Sequence, residues 1–130
     1  MSKEPLRHLR TEIMIALYQY DLLLSEKLPF IPSFEQEDAL LVFQAIVAML
    51  DPIDQTIESH LFDYRLNRLS YVDRAIIRLA VYEMMATDVP LNIIINEAIE
   101  LTKTYSNLDD EKQHRFTNKV LDQISKTIRG

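Results

Sequence analysis

A single all-α domain is what this sequence predicts, and three observations carry that expectation. Apolar residues recur at steps of three and four along most of the chain, the single glycine is the terminal Gly130, and the periodic segments are separated by prolines and helix-capping residues. Type I′ hairpin turns favour glycine, and neither an Asn-Gly nor an Asp-Gly pair occurs, so a β-meander lacks its turn chemistry. With 130 residues, 48% of them hydrophobic, the chain is long enough to bury one core.

The punctuation divides the chain into about six helices. The first is expected from Pro5, which suits the first helical position, to about Ser25, with Leu6, Leu9, Ile13, Leu17, Tyr20 and Leu24 as a buried stripe. After the linker Leu28-Pro29-Phe30-Ile31-Pro32, Ser33 and Gln36 have the form of a capping box that opens a second helix reaching about Leu50. Asp51-Pro52 starts a third, with Ile53, Ile57, Leu61 and Tyr64 facing inward and an end near Asn67.

Ser70 and Asp73 resemble an N-terminal cap for the fourth helix. The run Val72, Ile76, Ile77, Leu79, Ala80, Val81, Met84 is apolar on most sides, which places this helix at the centre of the bundle. Asp88-Val89-Pro90 breaks the chain, since the residue before proline avoids the α region. A fifth helix follows over about Leu91 to Tyr105. The polar loop Ser106-Asn107-Leu108-Asp109-Asp110 ends it, and the last helix turns Phe116, Val120, Leu121, Ile124 and Ile128 inward. The buried set expected from these periods is Ile76, Leu79, Ala80, Ile95, Ala98, Ile99 and Leu121.

Composition removes several classes of function. One terminal glycine leaves no phosphate-cradling loop or dinucleotide fingerprint, and the absence of cysteine removes disulfides, thiolate nucleophiles and Cys-based zinc sites. His8, His60 and His114 lie in three separate segments without ligand spacing, so no metal site is expected. Glu83, Glu97 and Glu100 are not placed by any pattern in one pocket, and no catalytic residues or cofactors are expected. Asn96 and Glu97 follow the apolar run Ile93-Ile94-Ile95 and read as a structural polar network joining the fourth and fifth helices. No apolar run of membrane-spanning length and no apolar signal core after Met1-Ser2-Lys3-Glu4-Pro5 is present, which points to a cytoplasmic protein.

Charge is more informative locally than in total. The net value of −6 argues against a generic nucleic-acid binder, yet residues 30–63 hold seven acids and no lysine or arginine, while residues 64–130 carry ten bases against nine acids. Two basic stripes stand out. Lys3, Arg7 and Arg10 share a face of the first helix, with His8 beside them, and Lys112, Arg115, Lys119 and Lys126 share a face of the last, with Phe116 at its edge. Cations beside an aromatic ring are what single-stranded RNA needs, charge for the phosphates and a flat surface for a base. The same stripes fit the solvated faces of amphipathic helices, and Phe116 fits a core position; spacing alone leaves both readings open.

The residues themselves carry a family resemblance. The segment Leu69-Ser70-Tyr71-Val72-Asp73-Arg74-Ala75-Ile76-Ile77-Arg78-Leu79-Ala80-Val81-Tyr82-Glu83-Met84, then Asp88-Val89-Pro90, then Ile95-Asn96-Glu97-Ala98-Ile99-Glu100-Leu101, resembles in order and spacing the second half of NusB-type transcription antitermination factors. His114-Arg115-Phe116-Thr117-Asn118-Lys119-Val120-Leu121-Asp122 resembles that family's closing signature, and Ala16-Leu17-Tyr18-Gln19 its N-terminal helix motif. The likeness is strongest from Leu69 to Asp122 and weakest over 26–66.

The resemblance implies a NusB-like helical bundle of six to seven helices in two packed subbundles, without enzymatic activity. It implies binding of a boxA-type single-stranded RNA together with NusE, the small-subunit ribosomal protein, in support of ribosomal RNA synthesis within the RNA polymerase antitermination complex. Carried over residue by residue, it places RNA contacts at Arg7, Arg10, Arg115 and Phe116, and the NusE-facing side at Tyr18 and Asp73. With the two stripes, the expected RNA surface is Lys3, Arg7, Arg10, Lys112, Arg115, Phe116 and Lys119, contributed as one face by both ends of the chain. The family's Phe-Val-Asn-Gly reads Phe116-Thr117-Asn118-Lys119 here, so a long cation replaces a glycine. The alternative is a NusB-like helical scaffold that binds a protein partner or a second copy of itself and no RNA, which the acidic balance suits. Similar helical domains fused to RNA-modifying methyltransferases imply at most a recognition role.

Overall fold

A helix that is apolar all round must be covered on all sides, and the fourth helix sets the architecture by meeting that demand. The computed structural model describes residues 4–28, 33–61, 66–106 and 111–130, with the side chains of residues 4–6 and 111 excepted. These residues form α1 (Glu4–Ser25), α2 (Glu37–Ala48), α3 (Leu50–Glu58), α4 (Tyr71–Ala86), α5 (Leu91–Leu101) and α6 (Glu111–Arg129). A 3₁₀ turn at Leu66–Arg68 precedes α4, and a π-helical turn at Thr102–Ser106 continues α5. No strand occurs among the described residues.

Every residue from Ala75 to Val81 is buried, so about two turns of α4 have no outward face. Around it pack α1, α2 and α3 on one side and α5 and α6 on the other, the expected pair of subbundles sharing one core. Ile13, Leu17, Ile46, Ile53 and Ile57 fill it from the first half of the chain, and Ile94, Leu121 and Ile124 from the second. No single described helix is long and apolar enough to cross a membrane.

Charged groups fix the relative height of these helices. Arg78 of α4 donates to Asp54 of α3 through Nε and Nη2, both at 2.9 Å, and to Asp21 of α1 at 3.3 Å; Arg74 pairs with the same Asp21 at 3.2 Å. At the other end of α4, Arg129 of α6 donates to the carbonyls of Glu83, Met84, Thr87 and Val89, at 2.6–3.1 Å. The last carbonyls of a helix have no partner of their own, and a cation suits that negative end. One arginine therefore caps α4 and anchors the end of α6 to it.

Several sequence expectations shift. The inward stripe of α1 is Arg10, Ile13, Met14 and Leu17, while Leu24 is 61% exposed and Leu6 lies outside the described side chains. Ser33 caps nothing. The α2 N-terminus has no side-chain cap of its own, and Glu12 of α1 reaches across to accept from the Glu35 and Gln36 amides at 3.1 and 3.4 Å. Helix α3 ends at Glu58 instead of Asn67, although Ile53, Ile57 and Leu61 are buried as expected; Tyr64 lies outside the described residues. The cap of α4 agrees with the sequence pattern, with Ser70 Oγ accepting from the Asp73 amide at 3.1 Å. On α5 the buried stripe is Ile94, Glu97, Ala98 and Leu101, and Ile95 and Ile99 are only half-buried. The observed face differs from the expected one by one residue, a rotation of about 100°.

Candidate nucleic-acid interface

The α1 stripe divides by burial. Lys3 lies outside the described residues. Arg7 has half its side chain in solvent and donates through Nε to both oxygens of Glu97 at 3.2 and 3.1 Å. Three residues on, Arg10 points inward. It is 9% exposed and makes a two-pronged pair with Glu83 of α4, Nε to Oε1 at 2.9 Å and Nη2 to Oε2 at 2.8 Å. That hydrogen bond raises the Arg10 pKa above its ordinary value against the opposing effect of burial, with the Glu83 and Glu97 charges adding to the rise. Arg10 therefore locks α1 onto α4, and its guanidinium is turned to Glu83 instead of standing on the exposed face expected of it. Helical phase explains the difference: position 10 shares the inward face with Ile13, Met14 and Leu17.

Glu97 is buried and structural, as expected, but it ties α5 to α1 instead of to α4, and the neighbouring Asn96 is exposed. The sequence points to the wrong partner helix because nothing in one-dimensional spacing shows that Arg7 lies opposite Glu97.

The α6 stripe is a surface. Lys112, Arg115 and Lys119 are exposed, Phe116 is half-buried against the core, and Val120, Leu121 and Ile124 beneath are buried. Lys126, further along the helix, pairs with Asp122 at 3.3 Å. Phe116 thus occupies the edge between core and solvent, where a ring is held from below and keeps a part of itself accessible. Lys119 stands on the exposed face of α6.

A cavity of about 430 Å³ opens beside this stripe, between the N-terminal ends of α4 and α6, lined by Arg68, Leu69, Ser70, Asp73, Lys112, Gln113 and Phe116. At its wall Asp73 is 3% exposed; its Oδ2 accepts from Ser70 Oγ and from Gln113 Nε2, each at 2.9 Å. Asp73, expected on the NusE-facing side, is thus held within the fold at the start of α4. Tyr18 is half-buried and meets Tyr71 edge to face, ring centroids 6.5 Å apart, while the Arg74 guanidinium lies 4.3 Å above the Tyr71 ring. Arg68, Ser70 and Gln113 are wall residues that the sequence does not single out for binding. Only the Ser70 cap pattern hints that the start of α4 lies near anything polar.

The two stripes lie toward opposite ends of α4. Helix α1 runs antiparallel to α4, with Arg10 at Glu83 and Asp21 at Arg74, whereas α6 runs parallel to it, with Gln113 at Asp73 and Arg129 at Glu83. Arg7 and Arg10 therefore sit at the C-terminal end of α4 and Arg115 to Lys119 near its N-terminal end. Asp73 and Glu83 mark a separation of about 15 Å along the helix. Among the described residues no group of three or more histidines, aspartates or glutamates could hold a metal ion.

Residues 9–126 match the NusB family. The transcription antitermination protein NusB of a Nitratiruptor species is 38% identical, over 95% of this chain and 94% of that protein. The protein of the same name from Bacillus subtilis is 42% identical over 75% of this chain and 69% of its own. Among solved structures, T. maritima NusB superposes with a TM-score of 0.77 at 34% identity, covering 92% of this chain and 89% of that one. A chain in a structure of antitermination factors NusB and NusE in complex with dsRNA gives a TM-score of 0.75 at 26% identity, over 97% and 99% of the two chains.

Proposed function

Because the chain belongs to the NusB family, we propose that it is an RNA-binding transcription antitermination factor, acting with NusE on boxA-type single-stranded RNA to support ribosomal RNA transcription in the cytoplasm. Its work is binding, without a reaction of its own. The observation that carries this reading is the exposed face of α6, where Lys112, Arg115 and Lys119 flank the half-buried ring of Phe116 beside an open cavity. Cations meet phosphates and the ring offers a stacking surface, the two elements of single-strand recognition. Arg7 extends the RNA path at the far end of α4, so a strand that uses both sites runs along the bundle. Tyr18, on the α1 side, belongs to the NusE-facing surface in this reading.

The test is a fluorescence titration of a boxA-type oligonucleotide at two salt concentrations, with and without NusE. Phe116→Ala weakens binding by about 1–3 kcal/mol through lost stacking. Lys119→Ala lowers the slope of log affinity against log salt by about 0.7 and leaves sequence preference unchanged. Binding strengthens when NusE joins, since the second contact then becomes intramolecular. Wild-type affinity in both variants, with and without NusE, would move the RNA surface elsewhere on the protein. The second reading, a protein-binding scaffold that acts alone or as a homodimer without RNA, is favoured by the net charge of −6 and by the withdrawal of Arg10 from the surface. Absence of RNA binding together with retained NusE binding or self-association would select it.

A further inference from the structure

Arg7 and Arg10 each hold a glutamate, but they use the guanidinium differently. Arg10 gives Glu83 two parallel bonds, from Nε and from Nη2, and both side chains are buried. Arg7 bonds to Glu97 through Nε alone, at 3.2 Å to Oε1 and 3.1 Å to Oε2, and its Nη1 and Nη2 groups make no hydrogen bond among the described residues. The carboxylate thus occupies one corner of the guanidinium and leaves the Nη1–Nη2 edge unbonded, on a side chain that is 51% exposed. That edge is a planar fork of N–H donors, the geometry that matches two oxygens of a phosphate.

We propose that Glu97 is a positioning residue for RNA: it fixes Arg7 through Nε so that the Nη1–Nη2 edge meets a phosphate, and one guanidinium serves carboxylate and phosphate together. The inference rests on the RNA-binding reading and names the group that orients its site at the C-terminal end of α4. Arg7 is the one hydrogen-bond donor that Glu97 has among the described residues, and the Glu97 side chain is only 11% exposed. A carboxylate so placed retains its cation, because losing it leaves a desolvated acceptor unsatisfied. Arginine has donors left after that bond is made. Lysine carries its charge at a single point, so on Glu97 that charge is neutralised there and is not offered to the strand. Position 7 is therefore selective for arginine, although either cation would suit a bare phosphate.

The experiment titrates a labelled boxA-type oligonucleotide with the full chain, in the presence of NusE, over a series of salt concentrations. Arg7→Ala is expected to weaken binding on the order of fivefold at about 0.1 M salt and to lower the slope of log affinity against log salt by about 0.7, the loss of one single-strand phosphate contact. Arg7→Lys is expected to show the same loss within about twofold, and the same slope, although it keeps the charge. Glu97→Gln keeps an acceptor for Arg7 Nε and removes the carboxylate charge. Alone it retains the wild-type slope; combined with Arg7→Lys it restores affinity and slope, and combined with Arg7→Ala it does not. A contact that only tied α5 to α1 would not produce this pattern. Wild-type affinity in Arg7→Ala or Arg7→Lys, or equal recovery of both by Glu97→Gln, would overturn the inference and leave the RNA-binding reading standing on the α6 face. Should the Glu97→Gln proteins fold poorly, the comparison of Arg7→Ala with Arg7→Lys decides alone. Absence of binding by the wild-type protein, with and without NusE, would overturn the inference and the reading together.

Discussion

Replacing Arg10 by alanine is expected to destabilise the protein by about 3–5 kcal/mol, the range for breaking a buried ion pair by removing one partner. Both side chains are only 11% exposed, so solvent does not screen the loss. The substitution strands the Glu83 carboxylate inside the protein in the last turn of α4, where the helix dipole already disfavours negative charge. Removing both charges relieves that penalty: Arg10→Met combined with Glu83→Leu is expected to recover most of the stability, because a well-packed apolar pair often equals a buried ion pair. Urea unfolding of the two single variants and the double variant measures the cycle. A loss below about 1 kcal/mol in Arg10→Ala would show that Glu83 finds water or another cation at little cost. The same series separates structure from recognition, since the double variant should bind RNA as the wild type does if Arg10 makes no contact with it.

The features legible in the sequence are those written locally. The caps and breaks around α4, its all-round apolar character and its central place follow from Ser70, Asp73, Pro90 and the apolar run between them, and the structure agrees with each. The exposed α6 stripe is equally legible, because four cations and one inner face of Val120, Leu121 and Ile124 fix the rotation of that helix. What is not legible depends on which helix lies opposite. Arg7 and Arg10 look equivalent as surface cations until α4 and α5 supply Glu83 and Glu97, and the phase of α1 then turns one in and leaves the other half out. The expected cap of α2 fails for the same reason, since its acceptor comes from Glu12, more than twenty residues earlier in the chain. The cavity at Asp73 is likewise made by α6 approaching α4, a contact that neither segment's spacing announces.

Helix α5 tests this point of phase most directly, and two isoleucines five residues apart should respond differently. Ile94 is 1% exposed within the core, whereas Ile99 is half-buried. Truncation of Ile94 to alanine is expected to cost about 2–5 kcal/mol, from lost transfer free energy and the cavity left behind. Ile99→Ala should cost about 1 kcal/mol, because a site partly open to solvent loses less buried area and leaves no enclosed void. The sequence period alone places Ile99 inward and gives it the larger loss. The outcome therefore distinguishes two rotations of the same helix. Equal losses from the two variants, or a larger loss from Ile99→Ala, would mean that α5 presents the face inferred from the period. Glu97 and Ala98 would then turn with it, and Glu97 would leave its contact with Arg7 on α1.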